Sequence, residues 1–462
     1  MPLLIVLFAA AALVWATPMI RRGNVLVASA LVLLLGTLFG PAFFAIDGPI
    51  QFSLDRVLWF AVAGLVAVQW RRGQLQADRM CRVDWIVVAL VGWLFLSTLH
   101  GKPAPVNEPP LARWLFYVFM PAGMYAYARL SNADQRGLHT LVVGAAGLGI
   151  YLSVTAIMEI RGWHGLIFPR YIADPGIWEF FGRGRGPLLN PSGNGVLLAI
   201  GWAATATLFL RAGRRGKLLW GIAGLVIGLG VYATLTRSAW MGGLLALGAV
   251  VLFRLPRWVR VLGLASILVL GGAMVMGLKD QLLRMKRDEN LSASAAEKSV
   301  KLRPLLAVVA WEMFQDKPLV GHGFGRYFSA SGPYHTDRSY QMPLEEARPY
   351  MQHNVLLSLL VDSGLIGLSF FLGWVLVVML IAWRISRSRD ADPDSRDFAS
   401  LVLATLAAYF INGSFQDVTI IPMINMFLFY AGGHLVSLRR LAPMPKRRPH
   451  PALEPMSAPA SV

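Results

Sequence analysis

The sequence predicts an all-α polytopic membrane protein of about 12–13 transmembrane helices, with one large polar loop in its carboxyl-terminal half. Three observations predict it. Of 462 residues, 56% are hydrophobic and 15% charged, with a mean hydropathy of +0.55, more apolar surface than a soluble core of this length can hide. The apolar runs repeatedly reach the ~20 residues that cross a bilayer as a helix. Short basic clusters separate them, spaced so that two crossings fit between one cluster and the next.

The charge pattern also excludes other classes. The net charge is +18, from 43 basic and 25 acidic residues. In a soluble chain that excess would suggest nucleic acid, but here it lies in short loops, where it sets membrane orientation. Cys81 is the single cysteine, which excludes internal disulfides and thiolate metal clusters. The first apolar run lacks a basic leader and ends at Arg21-Arg22, so it fits a span better than a cleaved secretory signal.

Taken in order, basic clusters stand at Arg21-Arg22, Arg71 to Arg82, Arg129 and Arg136, Arg211 to Lys217, Arg254 to Arg260, Arg384 to Arg396 and Arg439 to Arg448. The positive-inside rule puts all of them in the cytoplasm. The external loops are then 46–55, the proline-rich 100–110, 161–191, a tight turn near 236–238, 279–352 and 412–422. The chain divides into transmembrane helices with short loops (1–278), the large external loop (279–352), carboxyl-terminal helices (353–438) and a Pro/Ala-rich tail (439–462) expected to be disordered.

Residues 218–253 are the most informative run: 36 residues with one charge, Arg237, between two basic clusters. One helix of that length would measure about 54 Å, against a hydrocarbon core of ~30 Å. Matching flanks demand an even number of crossings, so the run is a hairpin with Thr236-Arg237-Ser238 at its external turn. Arg237 then either snorkels or pairs with a distant carboxylate, or it turns its planar fork of donors to an anionic head group.

In the large loop, Leu302, Leu305, Leu306, Val309 and Met313 follow helical spacing, giving an apolar face suited to lying on the membrane. Pro304 fits a first helical position, which would put Arg303 at a helix amino terminus beside free N–H groups; the plainer alternative is a polar-face residue. Gly321, Gly323 and Gly325 alternate in a stretch that signals a turn. It lacks the strand and lysine of a nucleotide loop.

His353-Asn354 opens the next apolar run, and Gly364 follows His353 by 11 residues, close to three helical turns, so both are expected on one face of one helix. A lone histidine at a helix start is usually structural. This one stands at a water boundary beside two external arginines, with an ordinary pKa suited to taking a proton from a hydroxyl. His322, His335 and His353 have no metal-ligand spacing. Asp417 is the only acid in the last external loop.

The order Thr236-Arg237-Ser238, then Pro318-Leu319-Val320-Gly321-His322-Gly323-Phe324-Gly325, then His353-Asn354-x9-Gly364 resembles the O-antigen ligase and polymerase superfamily, most closely over about 190–430. That resemblance implies a C-type glycosyltransferase architecture in a bacterial inner membrane, with a periplasmic site and no cofactor or metal. It implies a donor glycan on undecaprenyl pyrophosphate and a lipid A–core hydroxyl as acceptor, in lipopolysaccharide biosynthesis. The family's roles fall on Arg237 and Arg303 for pyrophosphate and on His353 for catalysis. Arg183, Arg185 and Asn354 are secondary candidates. Met241 stands where the ligase pattern usually has leucine. A polymerase, whose acceptor is a second lipid-linked glycan, is the rival enzyme. A transporter of lipid-linked anions is the rival from another class and would place charges or helix breaks at midplane.

Overall fold

The computed structural model describes residues 23–44, 53–75, 79–101, 109–252, 258, 293–337 and 339–438. Among them the chain is helical and contains no strand. Five helices are long and apolar enough to cross a bilayer: Arg82–Leu99 (α3), Gln135–Arg161 (α6), Pro191–Arg211 (α7), Arg214–Ala233 (α8) and Val355–Arg387 (α12). Val25–Phe39 (α1), Leu54–Arg71 (α2), Arg237–Leu252 (α9), Pro393–Gly413 (α13) and Pro422–Leu438 (α14) pack beside them. Pro110–Trp114 (α4) and Met120–Leu130 (α5) are joined by a π-helical turn, Leu115–Phe119. The first apolar segment and the start of the large loop lie outside the described residues.

The core needs small residues where helices cross. A Cβ on Gly149 of α6 would lie 2.8 Å from the Gly201 Cα of α7, so these two backbones meet with no room for a side chain. α9 packs between α7 and α13, and α14 packs on α5. At the basic end, Arg129 of α5 donates to both carboxylate oxygens of Asp84 on α3, at 3.0 and 3.1 Å, and to Ser437 of α14. The charge and all three helices are thereby tied together.

The large loop differs from its sequence reading in three ways. Its helix runs Ala293–Asp316 (α10), with Pro304 inside it, so Arg303 stands mid-helix and has no free helix terminus beside it. The polar start of this helix carries no periodicity to reveal it. Second, Leu302, Leu305, Leu306, Val309 and Met313 do share one face, but it is buried against Tyr327, Ala330, Leu344, Ala347 and Val361. The protein covers this face, so it does not lie on the membrane. Third, His353 and Gly364 do not project from one helix. Asn354 is the N-cap of α12, with extended backbone, and Gly364 breaks the helix at φ 66°, ψ −169°.

That break is filled by the glycine turn. Leu365 N donates to Pro318 O at 2.8 Å and Ile366 N to Leu319 O at 3.3 Å. In the other direction His322 N donates to Val361 O at 2.8 Å and Gly323 N to Asp362 O at 3.0 Å. Trp93 Nε1 and Ser97 Oγ of α3 reach Ser363 O and Asp362 O. A helix interrupted in an apolar setting needs every freed backbone group satisfied, and the turn supplies the partners. Gly321 has φ 71°, and a Cβ there would lie 2.6 Å from Ser363 N. This pairing fixes the start of α12 to the loop.

Candidate functional site

Four side chains from four segments converge at the end of the bundle opposite the basic clusters: Arg237, Arg303, His353 and Asp417. Arg237 is the first residue of α9, after the turn 234–236. The turn is built by its hydroxyls, with Thr234 Oγ1 donating to Val231 O at 2.8 Å and Thr236 Oγ1 to Thr234 O at 2.9 Å. The first-turn amides of a helix have no intrahelical acceptor, so this end carries positive potential besides the guanidinium.

Arg303 stacks on the Phe415 ring, 5.3 Å from its centroid, and makes no hydrogen bond or ion pair among the described residues. Its donors are therefore open. Burial, and after it the neighbouring Arg237, holds the guanidinium below its usual value. Arg303 and His353 are both open to solvent although surrounding protein desolvates them, as at the floor of a cleft.

His353 is placed by the residue after it. Asn354 Oδ1 accepts from Leu356 N and Leu357 N at 2.9 and 3.1 Å, and its Nδ2 donates to Ser414 O at 3.3 Å. Asn354 is thus a cap and a strut. Arg303 and Asp417 both act electrostatically on the imidazole. Burial first and Arg303 second push its pKa below the ordinary histidine value, while Asp417 pulls it upward. It is neutral, with a lone pair to offer, at neutral pH.

Asp417 is 2% exposed. Its Oδ1 accepts from Thr419 N at 3.0 Å and Thr419 Oγ1 at 2.5 Å. Burial pushes the carboxyl up, against the lowering pull of the Ser358 hydroxyl, Thr419 and Arg113. The sequence marked Asp417 only as the one acid of its loop, because nothing local links it to His353.

The two secondary arginines face other groups. Arg185 is fully buried, and its terminal nitrogens donate to the carbonyls of Ile172, Asp174, Ile177 and Glu179. A phosphate contact is thereby corrected to an internal brace of the loop between α6 and α7, completed by Glu159, which accepts from Arg185 N and Gly186 N at 3.2 and 2.9 Å. Arg183 donates to Leu235 O at 3.3 Å and to Thr236 Oγ1 at 2.5 Å. It therefore braces the turn that presents Arg237.

Among the described residues no group of three or more His, Cys, Asp or Glu side chains is arranged to hold a metal ion. A cavity of about 400 Å³ lined by Gly23, Asn24, Gln69, Gln74, Leu130 and Asn132 lies at the basic end, away from these groups. Residues 222–372 match the family model described as O-Antigen ligase; the match takes in Arg237, Arg303 and His353 and stops short of Asp417. No curated protein matches the chain.

Proposed function

We propose, from the match of residues 222–372 to the O-Antigen ligase family model, that the protein is a metal-independent, inverting ligase of a bacterial inner membrane. In this reading it moves a finished glycan from undecaprenyl pyrophosphate to a sugar hydroxyl of lipid A–core on the periplasmic face. That match supports ligase- or polymerase-type glycosyl transfer in general. The choice of ligase, and of its substrates, is our own reading.

The observation that carries it is the meeting of two arginines with a neutral histidine. The His353 ring takes the proton of the acceptor hydroxyl as that oxygen attacks the anomeric carbon. The bond from that carbon to the pyrophosphate oxygen breaks, and the lipid pyrophosphate leaves with the electron pair. Arg237 and Arg303 meet the charge that develops on the leaving oxygen, where fixed donors lower the barrier most. A single displacement inverts the anomeric configuration. Asp417 faces the imidazolium that forms.

The test is transfer of an undecaprenyl-pyrophosphate-linked glycan to purified lipid A–core in liposomes, with wild type, His353→Ala and Arg237→Ala. Conjugate from wild type, and at least ~100-fold less from folded variants, supports the reading. Glycan growing on the donor lipid makes the protein a polymerase with the same site. Donor crossing the bilayer with no transfer to either acceptor defeats the enzyme reading.

A further inference from the structure

A cation behind His353 has no part in that mechanism. Arg113, in the short helix Pro110–Trp114, is half-buried, and among the described residues it makes no hydrogen bond or ion pair. Its guanidinium carbon lies 5.9 Å from the Tyr117 ring centroid and 5.8 Å from that of Phe324. Its Cδ would be 3.0 Å from a Cβ on Gly325. Gly325 N donates to Asp362 Oδ2 at 3.1 Å, and Asn425 Nδ2 joins Tyr117 O at 3.2 Å to Thr419 O at 2.8 Å. Arg113 is therefore packed against Gly325, which donates to Asp362, and against Tyr117, which Asn425 joins to the segment of Asp417.

Those two acids need a counter-charge. Each is 2% exposed. Neither Asp362 Oδ1 nor Asp417 Oδ2 has a hydrogen-bond partner among the described residues. The two carboxylates repel each other, and Arg113 attracts both. Two buried anions that repel each other cannot both stay charged without a cation. Tyr409 also faces Asp417, but a phenol supplies no positive charge. On its other side Asp417 faces His353, which in turn faces Arg303.

We propose that Arg113 is a positioning residue of this site: its guanidinium is the counter-charge of the buried Asp362–Asp417 pair, and by keeping Asp417 an anion it sets how readily His353 holds a proton. This rests on reading His353 as the group that receives the acceptor proton. The effect acts through Asp417, and that fixes its sign. Direct repulsion alone would make His353 bind a proton more readily once Arg113 is removed. Loss of the charge on Asp417 makes it bind a proton less readily.

The experiment is the pH dependence of diethyl pyrocarbonate modification at His353 in the full-length protein, read by mass spectrometry of the peptide. Arg113→Gln is expected to lower the midpoint by about one pH unit, the scale of a lost charge partner at a few ångströms. Arg113→Lys should leave it in place. Asp417→Asn should lower it, and adding Arg113→Gln to that variant should lower it no further. An upward or absent shift in Arg113→Gln, or a further fall in the double variant, overturns the proposal. If Arg113→Gln does not fold, Arg113→Lys and Asp417→Asn decide: the lysine should keep the wild-type midpoint and the asparagine should lower it, and any other result counts against it. The measurement needs no turnover. A protein that transfers no glycan yet shows these shifts loses the ligase reading alone, and an active one without them loses this proposal alone.

Discussion

Replacing Gly364 by alanine tests whether the interrupted helix is what seats His353. At φ 66°, ψ −169° an L-residue is strained by roughly 1–3 kcal/mol. The new Cβ would also stand 2.2 Å from Leu319 O and 2.3 Å from Leu319 C, backbone atoms that cannot swing aside as a side chain does. Leu319 must withdraw, and the bonds Leu365 N to Pro318 O and Ile366 N to Leu319 O weaken with it, at about 1 kcal/mol each. The expected total is about 3–5 kcal/mol. Gly373 lies in the same helix with nothing within 4 Å of its Cβ position, so Gly373→Ala should be neutral or slightly stabilising. Thermal midpoints of the two variants in detergent, read by fluorescence-detected gel filtration, make the comparison. Equal midpoints, with Gly364→Ala retaining full transfer, would refute the idea that this pairing holds the site.

Three further outcomes follow from the same structure. Arg185→Lys should reduce folded protein by 3 kcal/mol or more in stability, about 1–3 kcal/mol per orphaned group, because one ammonium cannot reach the four carbonyls that Arg185 spans; yield of monodisperse protein measures it. Asn354→Ala should cost about 1 kcal/mol as a lost cap and lower kcat about tenfold or more by releasing His353, whereas Asn354→Asp keeps the accepting oxygen and should retain stability. His353 has a folded pKa below its unfolded one, so between the two values the unfolded chain binds more protons. Its contribution to stability is then present at neutral pH and is lost as pH falls through about 6.5 toward the lower folded value. Transfer should stay flat through neutrality and decline only below the ordinary histidine range, and acid destabilisation should be smaller in His353→Ala.

What was legible in the sequence was whatever length and parity decide. Arg237 could be put at a hairpin turn because a run of 36 mostly apolar residues between two basic clusters admits only two crossings. The glycine turn was legible as a break. Partners were not. The spacing of Leu302 to Met313 shows that an apolar face exists, but not whether lipid or protein covers it. Pro304 looks the same at the first turn of a helix and inside one whose earlier residues are Ala, Ser, Glu and Lys. The spacing of 11 from His353 to Gly364 suits a continuous helix, and only the position of the neighbouring turn shows that Gly364 interrupts it. For Arg185 the residue type gives the donors, while the accepting carbonyls are set by a fold of the loop that no local pattern encodes.

The arrangement of charge at this end of the bundle has a direction. Arg237 and Arg303 repel each other, and neither would hold its place if it depended on that pair alone. Each is instead fixed from behind, Arg237 by the turn that Arg183 braces and Arg303 by the buried face of α10. The repulsion is therefore carried by the fold, and in the proposed reaction an arriving pyrophosphate would relieve it. Across the site the order runs from two cations, through a neutral imidazole, to a buried carboxylate. A displacement that takes a proton at the imidazole and sheds an anion at the far end develops positive charge beside Asp417 and negative charge beside the arginines. Both developing charges meet an opposite one already in place, and an arrangement with the acid on the arginine side would cancel the cations before the substrate arrived.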